Sequence, residues 1–272
     1  MKTLIAGPWV GEFGWELFAW HGYIRALSRK YDKTIIISRE NSKALYDDFA
    51  TEFIAYSPTG GTPDAFFMHN VDVKKCFFEA LTKNKIPLNE ETTLLLARRI
   101  GAPPHTHYDQ SIVFGKYLIK PEYICFGEEG QKLYDFVFHI RDRSLRKEDN
   151  WNLENWFKLK ELLGDKKIAC IGTKNNSGHV EGTEDLRDLD LKKVFDVLRN
   201  ASCTFGSSSG PIHLASLCGC PHIVWGDRSL SQYRYEENWN PLRTRASFLS
   251  EFGWHPTAEY VYEKFAEQNH KG

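Results

Sequence analysis

Residues Lys2 to Ala6 form a short apolar run that ends at Gly7-Pro8, and after a glycine-rich stretch Leu17, Trp20, Ile24 and Leu27 recur at helical spacing within Leu17 to Tyr31. Strand, glycine loop and helix in that order open a Rossmann-like βα unit. The next run, Lys33 to Ser38 (KTIIIS), is continuous and β-branched, as in a parallel strand covered on both faces. The spacing after it predicts a helix over Ser42 to Phe53. From Ala55 to about Pro121 the periodicity is broken by Gly60-Gly61, Pro63, Pro87 and Pro103-Pro104, and only irregular strands and loops are expected.

The second half has a clearer period. Tyr134 to Arg141, Lys167 to Gly172, Cys203 to Gly206 and His222 to Trp225 read as strands, and Leu153 to Leu163, Leu191 to Arg199 and Pro211 to Leu217 as the helices between them. That alternation is a second doubly wound unit. The expected class is therefore α/β, with two Rossmann-like domains facing across a cleft, residues 1–130 and 131–256. A last helix, Thr257 to Gln268 within a tail 257–270, is expected to pack back on the first domain. In such sheets ligands bind outside the carboxyl ends of the strands.

At 272 residues, 42% hydrophobic and 26% charged, the chain can bury about three quarters of its unfolded surface, which excludes a disordered or collagen-like chain. Lysine plus arginine (35) nearly balances aspartate plus glutamate (36), so the chain lacks the surplus of positive charge that coating nucleic acid requires. No run approaches the ~18 apolar residues of a membrane span, and Gly7-Pro8 interrupts any signal-peptide core. A soluble, cytoplasmic protein without membrane insertion is expected. Cys76, Cys125, Cys170, Cys203, Cys218 and Cys220 lack metal-knuckle spacing and are read as reduced thiols, several of them in the core.

The most informative segment is CTFGSSSGPIHLASLCGCPHIVW, Cys203 to Trp225: an apolar strand, a serine-glycine loop, a proline opening a helix, and a strand again. Unsatisfied N–H groups and the positive end of a helix dipole converge on such a loop, which suits a phosphate. Ser207, Ser208 and Ser209 add hydroxyls, Gly210 admits a ligand to the backbone, and Pro211 fits a first helical turn. An ordinary capped strand-helix junction has the same composition.

The residues Ser209, Gly210, Pro211, His213, Leu214 and Ala215, followed by Gly219 and Pro221, resemble the donor-binding motif of heptosyltransferase-like (family 9-like) glycosyltransferases of the two-Rossmann GT-B fold. Ser208 stands where those relatives often carry aspartate. HIRDR, His139 to Arg143, is similar to the H-x-R element of fucosyltransferase-like GT-B enzymes. The resemblance implies a glycosyltransferase that takes a sugar from a nucleotide diphosphate, with no metal cofactor. Ser208, Ser209, Gly210 and His213 would hold the diphosphate together with Arg141 or Arg143, of which Arg141 is preferred, since a guanidinium at a strand end pairs with phosphate oxygens. Asp142 would serve equally as a simple ion-pair partner for either arginine, and His213 equally as a buried structural histidine.

The resemblance also implies a general base in the first loop, GPWVGEFGWE, where Glu12 and Glu16 are the acids; a glutamate in the first helical turn is also favourable for the dipole alone. Thr173, Lys174 and Glu184 lie where this fold lines the nucleotide pocket. Asp188 and Asp190 look like a D-x-D metal motif, but their place before a helix points to N-capping. His105 and His107 lack a third metal ligand. Gln232 to Pro241 either lines a sugar pocket or covers a sheet edge. The acceptor is a glycan or a hydroxymethylated base in DNA, as in phage-type members of the fold, and for DNA the basic side chains Lys74, Lys75, Lys83, Lys85, Arg98 and Arg99 would supply the contact. A nucleotide or sugar-phosphate binder without chemistry and a sugar-nucleotide epimerase remain the rival classes.

Overall fold

The computed structural model describes residues 1–9, 11–56, 72–96, 119–231 and 239–270. The chain divides into two compact units, Met1–Tyr123 and Ile124–Gly272, both built on parallel sheets.

The first unit carries β1 (Thr3–Ala6), β2 (Lys33–Ser38), β3 (Glu52–Ala55) and β4 (Thr92–Leu95), ordered β3-β2-β1-β4. Ile5 pairs in register with Ile35 of β2 and Leu94 of β4, so the first strand is central and wholly buried. Ile5, Ile35, Ile37 and Ile54 pack with Phe77, Ala80 and Leu81 of α3 (Val73–Lys83). Asp72 caps that helix by accepting from the Lys75 N–H; the broken periodicity around it left it unread in the sequence.

Two expectations are corrected here. The first helix begins earlier than Leu17: α1 (Phe13–Trp15) runs through a π-helical turn, Glu16–His21, into α2 (Gly22–Ser28). The helix expected over Ser42 to Phe53 is instead a 3-10 turn, Glu40–Leu45, followed by β3. Parallel pairing of Phe53 with Ile36 and Ile54 with Ile37 outweighs the local helical spacing.

The second unit carries β5 (Phe136–His139), β6 (Ile168–Cys170), β7 (Glu184–Asp185), β8 (Cys203–Ser207), β9 (His222–Trp225) and β10 (Ala246–Leu249). Their order, β10-β9-β8-β5-β6-β7, is the complete six-strand Rossmann arrangement, and its direction reverses between β5 and β8. Between the strands lie α4 (Leu153–Leu163), α5 (Leu191–Arg199), α6 (Gly210–Leu217) and α7 (Arg228–Ser231). Asn152 and Asp190 cap α4 and α5 through the N–H groups of Glu154 and Lys192. Phe138, Trp156, Phe205 and Trp225 centre the core.

The C-terminal helix α8 (Ala258–His270), expected on the first domain, packs on the sheet and on α4 of the second unit. Ala258 and Val261 are fully buried in the core, and the Phe265 ring lies 5.2 Å from those of both Phe136 and Phe205. The division also falls before residue 130, because Phe126 stacks on Phe195 at 4.5 Å and its N–H donates to Leu217 O. All six cysteines are free, and Cys170, Cys203, Cys218 and Cys220 are buried.

Candidate functional site

In the second unit the order of successive strands reverses between the parallel neighbours β5 and β8, and the chain leaving each of those strands carries polar side chains. Ser209 is the N-cap of α6, with Pro211 in the first turn, yet the Ser209 hydroxyl does not cap the helix. It lies 3.0 Å from Ser207 O and 2.9 Å from His139 Nδ1. His139 Nε2 in turn faces Ser177 Oγ at 3.3 Å. Ser177 is brought there because the chain beyond β5 pairs antiparallel with it: Asp142 N donates to Asn176 O, and Gly178 N to Ile140 O. Burial, reinforced by Arg141 and Arg143, holds the imidazole neutral down to about pH 3.

One residue earlier, Ser208 Oγ meets His213 Nε2 at 2.9 Å, and the His213 ring stands edge-on to Trp239 at 4.7 Å. His213 is fully buried, and its backbone N–H closes the first turn on Ser209 O. With proline at the second helical position, the N–H groups of Gly210 and Ile212 are the donors that this helix start presents. The arrangement is a short glycine-proline turn with a helix dipole behind it, at the sheet's switch point.

The two arginines part company. Arg141 is 2% exposed, and its guanidinium binds a loop of its own unit: it donates to Arg146 O at 3.0 Å, to Leu145 O at 3.5 Å and to Asn150 Oδ1, with Asp149 at 3.6 Å. The preference for Arg141 as the phosphate ligand is thereby reversed, since its donors hold the 145–150 segment in place. The Arg143 backbone is clamped by the Asn150 amide, at 2.9 and 3.2 Å, and its side chain is only half-buried.

In the first unit the loop after β1 also sits at a switch point, between β1 and β4. Gly7 has φ +134, and a side chain there would meet Ile37 O at 2.1 Å, so glycine is required. Glu12 precedes α1 and does not cap it, and its carbonyl accepts from Glu16 N at 3.2 Å. Glu16 is wholly buried with four donors on its carboxylate: Ser38 Oγ (2.6 Å) and Tyr46 OH (2.8 Å) on Oε1, Arg39 Nη2 and Ser42 Oγ (both 2.7 Å) on Oε2. A carboxylate so saturated ties β2 and the 3-10 turn to the first helix and is not placed to receive a proton from an acceptor. The pair of candidate bases thus resolves into one structural acid and one in the loop.

Three solved structures are similar to this architecture over nearly the whole chain. The glycosyl transferase family 9 structure from Veillonella parvula has a TM-score of 0.65 at 11% identity, covering 100% of this chain and 98% of that one. E. coli heptosyltransferase WaaC with ADP has 0.62 at 15%, covering 98% and 100%, and E. coli ADP-heptose LPS heptosyltransferase II has 0.57 at 12%, covering 98% of both. The fold is GT-B. At these identities the likeness is one of fold; no protein-family profile and no curated protein matches the sequence.

On the GT-B frame the remaining candidates fall at different distances from the switch point. Thr173 and Lys174 are exposed in the loop after β6, and Asp188 accepts from the Lys174 N–H at 3.1 Å. Glu184 is apart from them, exposed at the start of the edge strand β7. Of the D-x-D look-alike, Asp190 is the cap of α5, whereas Asp188 orders the Thr173-Lys174 loop, a role that its spacing from Asp190 concealed. His139 and Ser177 were not among the candidate ligands, although the histidine of HIRDR was visible; nothing in the sequence marks Ser177.

Lys74, Lys75, Lys83 and Lys85 are exposed on and just after α3, where Asp72, Glu79, Glu90 and Glu91 are exposed as well, and Lys75 pairs with Glu79 at 3.8 Å. Arg98, Arg99, His105, His107 and residues 232–238 of the aromatic tract lie outside the described residues. Among the described residues no group of three or more His, Cys, Asp or Glu side chains is placed to hold a metal, and no helix is long and apolar enough to cross a membrane.

Proposed function

We propose that this chain is a glycosyltransferase that moves a sugar from a nucleoside diphosphate donor to a hydroxyl of a carbohydrate acceptor. The observation that carries the reading is the uncapped start of α6 at the β5/β8 reversal of a GT-B sheet. Oriented N–H dipoles at that point stabilise a diphosphate most when it leaves with its full negative charge, which is the condition for catalysis rather than mere binding.

In this reading Gly210 and Ile212 hold the diphosphate through their backbone N–H groups. Ser208, Ser209 and His213 shape the turn, and Arg143 supplies the positive charge. Thr173, Lys174 and Asp188 contact the nucleoside, and Glu184 is no longer needed there. Glu12 takes the proton from the acceptor hydroxyl as its oxygen bonds to the anomeric carbon and the bond from that carbon to the phosphate oxygen breaks. No metal is part of the scheme. The exposed lysines on α3 are mixed with acids, which favours a glycan over the phosphate backbone of DNA as acceptor. The reaction belongs in a cytoplasm that supplies nucleotide sugars and keeps thiols reduced.

The test is thermal stabilisation by ADP, UDP, GDP and CMP, followed by transfer assays with the matching nucleotide sugars. ADP comes first, because one GT-B neighbour was solved with it. A ligand at a hundred times its dissociation constant adds about 2.7 kcal/mol. Stabilisation by one diphosphate with transfer to a glycan supports the reading. Transfer to hydroxymethylated DNA would change the acceptor, binding without turnover would leave a nucleotide-binding protein, and interconversion of the sugar without an acceptor would make it an epimerase.

A further inference from the structure

Serine is among the strongest helix-capping residues, and its oxygen normally accepts from the second or third N–H of the helix it precedes. At the start of α6 the second helical residue is Pro211, which has no N–H, so the Ile212 N–H is the one the Ser209 hydroxyl would take. It does not take it. The hydroxyl carries a single proton, and that proton goes to Ser207 O at 3.0 Å. The contact with His139 Nδ1 at 2.9 Å must then be donated by the imidazole. This fixes the tautomer: Nδ1 carries the hydrogen, and Nε2 is the acceptor facing the Ser177 hydroxyl at 3.3 Å. A continuous donor chain results, from Ser177 through His139 and Ser209 to the carbonyl of Ser207.

The chain is supported at both ends. Ser177 is held by the antiparallel pairing of Asn176–Gly178 with Ile140–Asp142. It also packs on Gly172, where φ is +126 and a Cβ would lie 2.1 Å from Ser177 Oγ and 3.2 Å from the His139 ring. His139 itself is 4% exposed and ends β5, whose neighbour in register is Gly206 of β8.

We propose that His139 is a positioning residue that keeps the first turn of α6 open to an anionic ligand by occupying the Ser209 oxygen. The inference rests on the reading of that turn as the diphosphate site. Without the imidazole N–H, the Ser209 oxygen turns to the Ile212 N–H and becomes an internal competitor of the ligand.

The experiment measures pyrophosphate and ADP affinity by calorimetry in the full chain and in His139→Phe, which keeps a ring of similar size and loses the donor, each with Ser209 and with Ser209→Ala. His139→Phe is expected to weaken binding about five- to tenfold in the Ser209 protein, the equilibrium weight of one cap. It is expected to have no further effect in Ser209→Ala. His139→Asn, with an amide N–H near the Nδ1 position, should recover most of the loss. Equal affinity of His139→Phe and the parent, or an equal loss in both backgrounds, overturns the proposal.

Amide hydrogen exchange without ligand supplies an independent readout: the Ile212 N–H should exchange more slowly in His139→Phe, where it becomes capped. If the parent binds neither probe, the diphosphate reading falls, whereas an Ile212 amide that exchanges alike in both proteins removes this inference. If His139→Phe does not fold, His139→Ala, which also lacks the donor, is compared by the same exchange measurement with His139→Asn, which keeps it. Slower Ile212 exchange in His139→Ala than in His139→Asn and the parent supports the proposal, and equal exchange in all three overturns it.

Discussion

The hydroxyl of Tyr46 donates to Glu16 Oε1 at 2.8 Å and so joins the segment after β2 to the first helix of the chain. Burial, and then the Glu16 charge, push the Tyr46 hydroxyl well above its ordinary pKa, so it remains a donor. Glu16 and Glu12, four residues apart, consequently answer to different measurements. Glu16→Ala leaves Ser38, Arg39, Ser42 and Tyr46 without their shared acceptor and is expected to cost about 3–5 kcal/mol in urea unfolding. Glu12→Gln is expected to lower the transfer rate by about 10²- to 10⁴-fold.

The arginines of HIRDR divide in the same way. Arg141→Ala removes the guanidinium that holds residues 145–150 and is expected to destabilise by about 3 kcal/mol or more, seen as a lowered unfolding midpoint. Arg143→Ala should weaken ADP binding about ten- to a hundredfold, as for loss of a charged hydrogen bond. The opposite pattern would return the phosphate role to Arg141.

Two glycines with positive φ separate backbone strain from steric exclusion. Gly164 has φ +70 with nothing within 4 Å of an added Cβ, so Gly164→Ala should cost only about 1–2 kcal/mol. At Gly7 the added carbon falls 2.1 Å from Ile37 O, and Gly7→Ala is expected to cost more than about 4 kcal/mol or to yield no folded protein. Circular dichroism melts of the two variants decide this.

Three buried histidines make stability depend on pH. Burial holds the imidazoles of His21 and His139 at about 3, helped by Arg25 in the first case and by Arg141 and Arg143 in the second, and that of His222 at about 4. Each is about 6.5 in the unfolded chain. The unfolded state therefore binds more protons as pH falls below 6.5, so these sites give full stability above that value and lose it progressively toward pH 4 and then 3. Each contributes a slope of up to about 1.4 kcal/mol per pH unit in that window. Urea unfolding at pH 7.5, 6 and 5 should show the decline, and His222→Gln should reduce its slope by about one proton.

The fold was legible where strands are buried on both faces, because a run such as KTIIIS has one reading. It was illegible in β7, two exposed acids paired at a sheet edge, and in β10, where ASFL is too short to carry a period. The helix expected after Ser42 failed for a reason no local window contains: the Ser42 and Tyr46 side chains answer to Glu16, more than twenty residues earlier. Serine, glycine and proline announced the turn before α6 because each has its own backbone chemistry. The destination of Arg141 was hidden, since alternation along a strand gives the face of a residue and not the reach of a long side chain that folds over its own loop.

The π turn at Glu16–His21 has a consequence for how this chain is compared with others. Such a turn accommodates one residue more than an α-helix of the same span, and each residue rotates an α-helix by about 100°. Glu16 therefore belongs to one angular register, and Tyr23, Ile24 and Leu27, all buried, to another. Deleting a single residue between them would heal the helix into regular geometry while swinging either the carboxylate or the apolar stripe out of place. An alignment that threads residues 13–28 as one unbroken helix will be out of step by one position on one side of that turn, so that either the glutamates or the core is matched to the wrong partners.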